Sequence, residues 1–349
     1  MYLDSYAKIR CQTLTISSSY DILKILILST GGTISSVESQ FGLVPTDANT
    51  AFTNLLSNDQ TSIESKNLMV LDSSNIQPEE WKIIAEEIFI NLNSYDGIIV
   101  THGTDTMAYT SSMISFMVQN PPIPIVFTGS QLPLAHPLSD ALDNLKCALA
   151  MASSNAKGVF LAFNRKVFFG SRASKVRTSS FDAFESINFK KVATVSASGF
   201  VIRNEMIKIN HERPILNTNI ETNVFLLKLT PTTDPSIIST LINSGIKGIV
   251  IEAYGAGGIS FVRRDFISEI KKAIDKQIPV VVSSQCLYES SNFNIYEVGT
   301  KVLATGAIGA LDMTTEAAVT KLMYALGQST NLKEIKHLFL TPISYEINS

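Results

Sequence analysis

Small hydroxyl, amide and acidic residues gather at four places in the first half of this chain. Thr30-Gly31-Gly32-Thr33-Ile34, Asp72-Ser73-Ser74-Asn75, Thr101-His102-Gly103-Thr104-Asp105-Thr106 and Thr128-Gly129-Ser130-Gln131 each follow directly on a short apolar run. Such groups suit a hydroxyl nucleophile. A Thr hydroxyl is weak at neutral pH and needs a positioned base or a neighbouring cation, and Thr104-Asp105 supplies a second hydroxyl beside a carboxylate. A cation could come from Gly170-Ser171-Arg172-Ala173-Ser174-Lys175, which follows a fifth run, but on pattern alone Arg172, Arg177 and Lys166 compete with Lys175. Other chemistries fit less well. The clusters hold no Cys and a single His, and His102, His136, His211 and His337 lack zinc-ligand spacing, so neither a thiol nucleophile nor a metal site is expected. His102, alone in a turn, reads as a structural hydrogen-bonding residue, since a His base needs a nucleophile and an orienting partner within reach. Gly31-Gly32 matches neither G-x-G-x-x-G nor the P-loop, so a phosphate cradle is not expected.

The elements that must position these clusters follow from apolar periodicity. Runs at 24–29, 68–71, 97–100, 123–127 and 158–163 read as buried strands. Between the second and third, Trp81, Ile84, Ala85, Ile88 and Leu92 recur at helical spacing behind Pro78, which suits a first helical turn because its missing N–H would be unpaired there. A helix is expected over 106–119, stopping before Pro121-Pro122, and another from near Asp140, with Leu142, Leu145, Leu149 and Ala152 on one side. Strand–helix alternation with continuously apolar strands implies a mostly parallel sheet covered on both faces. Ligands bind outside the carboxyl ends of such strands, so the four clusters should line one crevice. Helix capping by Ser, Thr and Asp would account for one or two of them.

A second alternation has strands at 224–229, 248–251 and 279–283 and helices at 236–243, 265–276 and 315–326, while 206–222 lack either periodicity. The fold expected is α/β and two-domain. A larger N-terminal domain (24–205) with a mostly parallel sheet and helices on both faces is joined by a linker (206–222) to a smaller C-terminal α/β domain (223–349), with residues 1–23 as an extension. The 349 residues suffice for two cores, and 45% hydrophobic with 17% charged residues reads as globular. A net charge of -3 gives no long-range attraction to nucleic acid or an anionic membrane. No apolar stretch reaches the length of a membrane span, and 1–23 lack the apolar core of a secretory leader. Cys11, Cys147 and Cys286 lie far apart without a disulfide framework, which points to a reducing compartment, the cytoplasm.

Thr30-Gly31-Gly32-Thr33-Ile34 with His102-Gly103-Thr104-Asp105-Thr106 resembles the two signature motifs of the bacterial-type L-asparaginases. The likeness continues through Thr128–Gln131, Arg172–Lys175, Phe181-Asp182-Ala183-Phe184-Glu185-Ser186, Tyr254-Gly255-Ala256-Gly257-Gly258, Tyr296-Glu297-Val298-Gly299 and Asp312-Met313-Thr314-Thr315-Glu316. It covers about 24–330 and is most similar to the cytoplasmic, type I branch with its archaeal members. The resemblance implies that Thr33 is the nucleophile of a covalent acyl-enzyme and that Thr104, Asp105 and Lys175 form a relay beside it. It implies that Asp72, Ser73 and Ser74 hold the substrate's α-amino and α-carboxylate groups, and that backbone N–H groups near Thr104 and Ser130 face the oxyanion. The implied substrate is L-asparagine, with L-glutamine as the competing amide, no cofactor or metal, and a homodimer or homotetramer with sites between subunits.

Three departures stand out. The family's mobile loop carries a Gly-Tyr pair, whereas here Gly42 precedes Leu43 in a stretch, 40–45, that reads as a loop. Gly258 stands where other branches have Asn, and Leu340-Thr341-Pro342-Ile343 is an unusual ending. Two alternative readings are the asparaginase-like subunit of an archaeal tRNA amidotransferase, whose longer N-terminal domain 1–23 cannot supply, and an amino-acid-binding protein of weak catalytic power.

Overall fold

Nine residues from Leu23 to Gly31 form the strand around which the N-terminal half is built, because apolar side chains on both of its faces find helices to pack against. The structure, a computed structural model, describes residues 22–39, 42–45, 49–207, 212–291, 293 and 297–348. Most of the extension, and His211 and Tyr296, lie outside them. In chain order the elements are β1 Leu23–Gly31, β2 Ser36–Ser39, β3 Gly42–Pro45, α1 Asn49–Leu56, β4 Thr61–Leu71, α2 Pro78–Asn91, β5 Gly97–Thr101, α3 Met107–Met117, β6 Val118–Gln119, β7 Pro124–Thr128, α4 Ala141–Ala152 and β8 Gly158–Phe163. There follow β9 Lys166–Phe169, β10 Ala173–Lys175, β11 Phe184–Ser186, β12 Ala193–Ser196, β13 Gly199–Ile202 and β14 Ile215–Leu216. The second half holds β15 Val224–Lys228, α5 Ser236–Asn243, β16 Gly248–Ala253, α6 Phe266–Asp275, β17 Val280–Ser284, α7 Glu297–Ala304, β18 Ile308–Gly309, α8 Thr315–Gln328 and α9 Leu332–Leu340.

The large sheet runs β13-β12-β9-β8-β7-β5-β1-β4. From β8 to β4 it is parallel, and β9, β12 and β13 extend it antiparallel. The turn into β9 places Asn164 at φ 46° and Arg165 at φ 60°, the primed geometry that matches the twist of a two-residue hairpin. Along β1 the side chains alternate: Leu26 and Leu28 join Trp81, Ile84 and Met113 from α2 and α3, and Ile25 and Ile27 join Phe52 from α1 and Leu145 from α4. Both faces are therefore dry, as the continuous apolar strands require. The second sheet, β15-β16-β17-β18, is wholly parallel and is sandwiched in the same manner.

Several expectations are corrected. Within the stretch expected to be a loop, residues 42–45 form a strand: β3 pairs antiparallel with β2, placing Leu43 opposite Glu38. The side chain of Leu43 is outside what the structure describes. The helix expected over 106–119 ends at Met117, because Val118 and Gln119 pair with Leu216 and Ile215. β4 begins at Thr61, not near Leu68. It is an edge strand with buried Thr61 and Ile63 alternating with exposed residues, so its first part shows no continuous apolar run. The short helices α1, α7 and α9, of eight, eight and nine residues, lie outside the elements expected from the sequence.

Beyond α9 the chain turns back across both halves. Lys321 and Glu346, each wholly buried, form an ion pair. Lys321 Nζ also donates to the Thr341 carbonyl at 2.7 Å, and Glu346 accepts the N–H groups of Ile343 at 2.8 Å and Ser344 at 2.7 Å. Burial pulls the Lys321 ammonium below the ordinary lysine range, opposed by Glu346. The Tyr345 ring stacks on Phe169 at 3.7 Å. Breaking a buried pair by removing one partner costs about 3–5 kcal/mol, because the other charge is left uncompensated. Glu346→Ala should lose that much in urea unfolding, and adding Lys321→Met should recover part of it. A loss of less than about 1 kcal/mol, the range of an exposed pair, would mean that the tail is not held by this pair.

Candidate active site

The four clusters stand at the carboxyl ends of four neighbouring strands, β4, β1, β5 and β7. Their ends are level: Ser29 pairs with Thr101, Thr101 with Thr128, and Gly31 with Leu71. The strand that follows β1 within the sheet, β4, lies on one side of it and β5 on the other. That reversal is a topological switch point, where such sheets open a crevice. Glycines let the turns touch. A Cβ on Gly32 (φ 78°) would stand 2.4 Å from Gly103 N, one on Gly103 2.6 Å from Ser73 Oγ, and one on Gly129 2.3 Å from His102 O. Hydrogen bonds tie the same turns: Gly32 N–H to Leu71 O at 2.9 Å, Thr30 Oγ1 to Thr101 O at 2.9 Å, His102 N–H to Thr128 O at 2.8 Å and Thr106 Oγ1 to Ser73 O at 2.6 Å.

Thr33 opens a short 3-10 turn, Thr33–Ser35, directly after Gly32. The Gly32 carbonyl accepts from Ser35 N at 3.2 Å and Ser36 Oγ at 2.9 Å, and Thr33, partly buried, begins the turn with no hydrogen bond from its hydroxyl to another described group. Thr104 follows Gly103 across the crevice. From β10, Lys175 Nζ donates to Thr104 Oγ1 at 2.8 Å and to Asp105 Oδ1 at 2.6 Å. The lysine side chain is 15% exposed and the aspartate 65%, so the pair is half open to solvent. The rival cations are spoken for elsewhere: Arg172 by Asp312, Lys166 by Asp182 and Arg177 by Glu185. Of the four cations that pattern left open, Lys175 is the one whose ammonium meets a hydroxyl and a carboxylate of the clusters.

Asp72 accepts from Ser74 Oγ at 2.6 Å and Ser74 N at 2.8 Å, and these bonds hold its carboxyl below the ordinary aspartate range. Ser73 is buried, and its Oγ accepts from Asp105 N at 3.3 Å. Ser130 is buried too, with its hydroxyl donating to the Leu132 carbonyl. His102 is structural. Its Nδ1 lies 2.7 Å from Gly103 O, which can only accept, so that nitrogen carries the proton. Nε2 then accepts from Thr110 Oγ1 at 2.9 Å, and Thr110 accepts from Trp81 Nε1 at 3.0 Å.

Sequence reasoning missed three residues. Gln131 Oε1 lies 3.4 Å from Thr104 Oγ1, and its Nε2 donates to the carbonyls of Thr178 at 3.1 Å and Ser180 at 2.9 Å. Asp140 uses its carboxylate to receive Gln131 N at 3.0 Å and Leu132 N at 3.1 Å. Asn144 donates to Gly129 O at 2.9 Å and accepts from Asn164 N at 2.8 Å. The available signal was Gln131 itself, at the end of the fourth cluster, and the i, i+4 spacing of Asp140 and Asn144 on one helix face. Among the described residues no group of three or more His, Cys, Asp or Glu is arranged to hold a metal ion, and no helix is long and apolar enough to cross a membrane.

The chain is similar to known proteins over most of its length. Residues 24–208 match the family model "Asparaginase, N-terminal" and residues 223–339 match "Glutaminase/Asparaginase C-terminal domain". An L-asparaginase of Thermococcus kodakarensis is 40% identical over 328 residues, spanning 93% of this chain and 99% of that protein. The solved structure of the thermostable L-asparaginase from the same organism superposes with a TM-score of 0.89 at 39% identity, covering 94% of this chain and 100% of that one. The structure of L-asparaginase I from Vibrio cholerae gives 0.83 at 27% identity, with 94% and 100% covered. A glutamyl-tRNA(Gln) amidotransferase subunit from Methanosphaera stadtmanae is 37% identical over 340 residues, 93% of this chain and 76% of that one.

Burial pushes His102 down from 6.5 to about 4, against the raising effect of its bond to Gly103. Between those values the unfolded chain binds a proton that the folded one does not, so stability must fall as pH drops through the window. By pH 4.5 the loss from this group should be about 2–3 kcal/mol. Unfolding free energies at pH 7 and 4.5, compared between the native chain and His102→Asn, isolate the effect. Equal pH dependence in the two would mean that His102 is not held neutral.

Proposed function

The chain belongs to the asparaginase family, and on that premise we propose that it hydrolyses L-asparagine to L-aspartate and ammonia through an acyl-enzyme on Thr33. It is an amidohydrolase of the L-asparaginase type. The observation that carries the mechanistic reading is Lys175 Nζ standing between Thr104 Oγ1 and Asp105 Oδ1, on the crevice that Thr33 enters. Thr33 Oγ attacks the side-chain amide carbon, and the hydroxyl proton passes along Thr104 and Lys175 to the departing nitrogen. The carbon–nitrogen bond breaks, ammonia leaves, and the acyl group stays on Thr33 as an ester. Water then attacks the same carbon, the ester bond breaks, and aspartate departs with the Thr33 hydroxyl restored.

Asp105 orients Lys175 and balances its charge. Backbone N–H groups near Thr104 and Ser130 face the developing oxyanion, where a single donor contributes about 10²–10³ in rate. Asp72, kept ionised by Ser74, takes the α-ammonium, and Ser73 and Ser74 on the same turn recognise the α-carboxylate, with Ser130 alongside. Neither a metal nor a cofactor has a step to perform. The leucine side chain at position 43 has no group for acid–base work, so the hairpin that carries it takes a packing role, and proton transfer rests on Thr104 and Lys175. A cytoplasmic homodimer or homotetramer is the form proposed, and Cys147 and Cys286 are free thiols in keeping with a reducing compartment.

A second reading has support from the tRNA amidotransferase relatives: the chain could release ammonia for use by a partner. Ammonia release from asparagine by the purified chain alone favours the first reading, and release that appears only with a partner favours the second. Steady-state rates on asparagine and glutamine give the amide preference.

Two substitutions test the mechanism. Thr33→Ala should lose at least about 10³-fold in turnover, as expected for a nucleophile, while asparagine still raises the melting temperature through the Asp72 turn. Retention of more than about a tenth of the activity is incompatible with Thr33 as nucleophile. Lys175→Met should lower kcat with little change in KM, because proton transfer acts only in the transition state. A large rise in KM at constant kcat would make Lys175 a substrate clamp.

A further inference from the structure

Lys175 reaches the crevice from a strand of three residues whose sole partner in its sheet is β11. A two-stranded ribbon is at best marginally stable, so β10 needs lateral anchors. Alternation along an extended chain sends Lys175 to one side and Ser174 to the other. Lys175 meets Thr104 and Asp105, whereas Ser174, buried, donates its hydroxyl to Glu316 Oε1 at 2.7 Å. Arg172, two residues before Ser174, points to the second half of the chain as well, with NH1 donating to Asp312 Oδ2 and to Asp312 O, each at 2.9 Å.

Glu316 lies in the first turn of α8, a helix fixed at its start by Thr314, whose side-chain oxygen accepts from Ala317 N at 3.0 Å. It is an acidic side chain in an enclosed place. Burial pushes its carboxyl above the ordinary range, opposed by the Ser174 hydroxyl, and nearby Glu252 adds to the rise. Glu252 is itself engaged, accepting from Thr315 Oγ1 at 2.6 Å. This half-buried carboxyl group is held at the start of a fixed helix by Thr314 and the helix's own main chain, and Ser174 of the neighbouring domain adds a bond to it from outside, one that would leave a largely enclosed oxygen short of a partner if removed.

We propose that Glu316 is a positioning residue for Lys175, holding β10 through Ser174 so that Nζ stands between Thr104 and Asp105. The proposal rests on the role given to Lys175 above. Glu316 touches neither substrate nor the reacting atoms; it sets the height of the lysine's Cα, from which a flexible stem must reach two partners at once. A misplacement of about 1 Å in such a constellation can cost about 10²-fold in rate. The C-terminal domain thereby completes a site whose reacting groups all come from the N-terminal one.

The test compares Glu316→Ala, Glu316→Gln, Ser174→Ala and the double variant Glu316→Ala/Ser174→Ala with Lys175→Met, in full-length protein. Glu316→Ala and Ser174→Ala should each lower kcat by about 10–10²-fold with KM within about threefold. The double variant should lose no more than either single one, since both remove the same bond. Glu316→Gln keeps an acceptor oxygen of the same reach and should recover to within about fivefold of the native kcat, which loss of packing alone would not explain. Should Glu316→Ala fail to fold, Ser174→Ala removes the same bond by deleting one oxygen and decides the matter. A folded Ser174→Ala or Glu316→Ala with unchanged kcat, beside an inactive Lys175→Met, overturns the proposal and leaves the lysine's role intact. A Lys175→Met protein that keeps its turnover removes the role itself, and the proposal with it.

Discussion

The backbones of two turns touch at Gly32 and Gly103 with no room for a side chain between them, and the arrangement of the site depends on that contact. Gly31 and Gly32 adopt φ 98° and 78°, conformations that cost a residue with a Cβ but not glycine. They let the chain leave β1 sharply enough to lie on the turn after β5. Thr33 and Thr104 each come one residue after a touching glycine, so their relative placement is governed by main chain against main chain, which is stiffer than a contact between flexible side chains. Gly103 in turn lies on Ser73, and Gly129 on the His102 carbonyl. The four turns therefore form one stack, and His102, fixed through Thr110 and Trp81, buttresses it from within the core.

Charge is used in two different ways. The Lys321–Glu346 and Arg172–Asp312 pairs are dry, or nearly so, and each is surrounded by further hydrogen bonds from the main chain. Buried pairs of this kind contribute little net stability against well-packed apolar residues, but they tolerate little deviation in geometry. They serve to lock the two domains and the tail together in one arrangement. Lys175 and Asp105 are different, being open enough to solvent for protons and a small polar substrate to reach them. The segment that joins the two regimes is short: Arg172 and Ser174 face the second half of the chain, and Lys175 faces the crevice.

Much of this was legible in the residues. Continuous apolar runs in β1, β5, β7 and β8, with amphipathic helices between them, can be buried on both faces only in a parallel sheet, and hydroxyl clusters after successive strands must then share its carboxyl edge. The edge strand β4 was legible in part, because half of its side chains face water and break the pattern. The β2–β3 hairpin was not, since strand pairing there involves main-chain groups that every residue carries. The same limit hid the end of α3, where Val118 and Gln119 exchange helix for a pairing with residues far along the chain.

Periodicity and residue type are local properties, and they suffice for the class of fold, the edge of the sheet where the hydroxyl clusters gather and the kinds of groups present. Folding alone shows which of Lys166, Arg172, Lys175 and Arg177 reaches the hydroxyl clusters, and gives Gln131, Asp140 and Glu316 their partners. A long cationic side chain reads alike in sequence wherever it points. Its role depends on which carboxylate lies within about 3 Å, and that is fixed by the packing of segments up to 140 residues apart, about which no local pattern carries information.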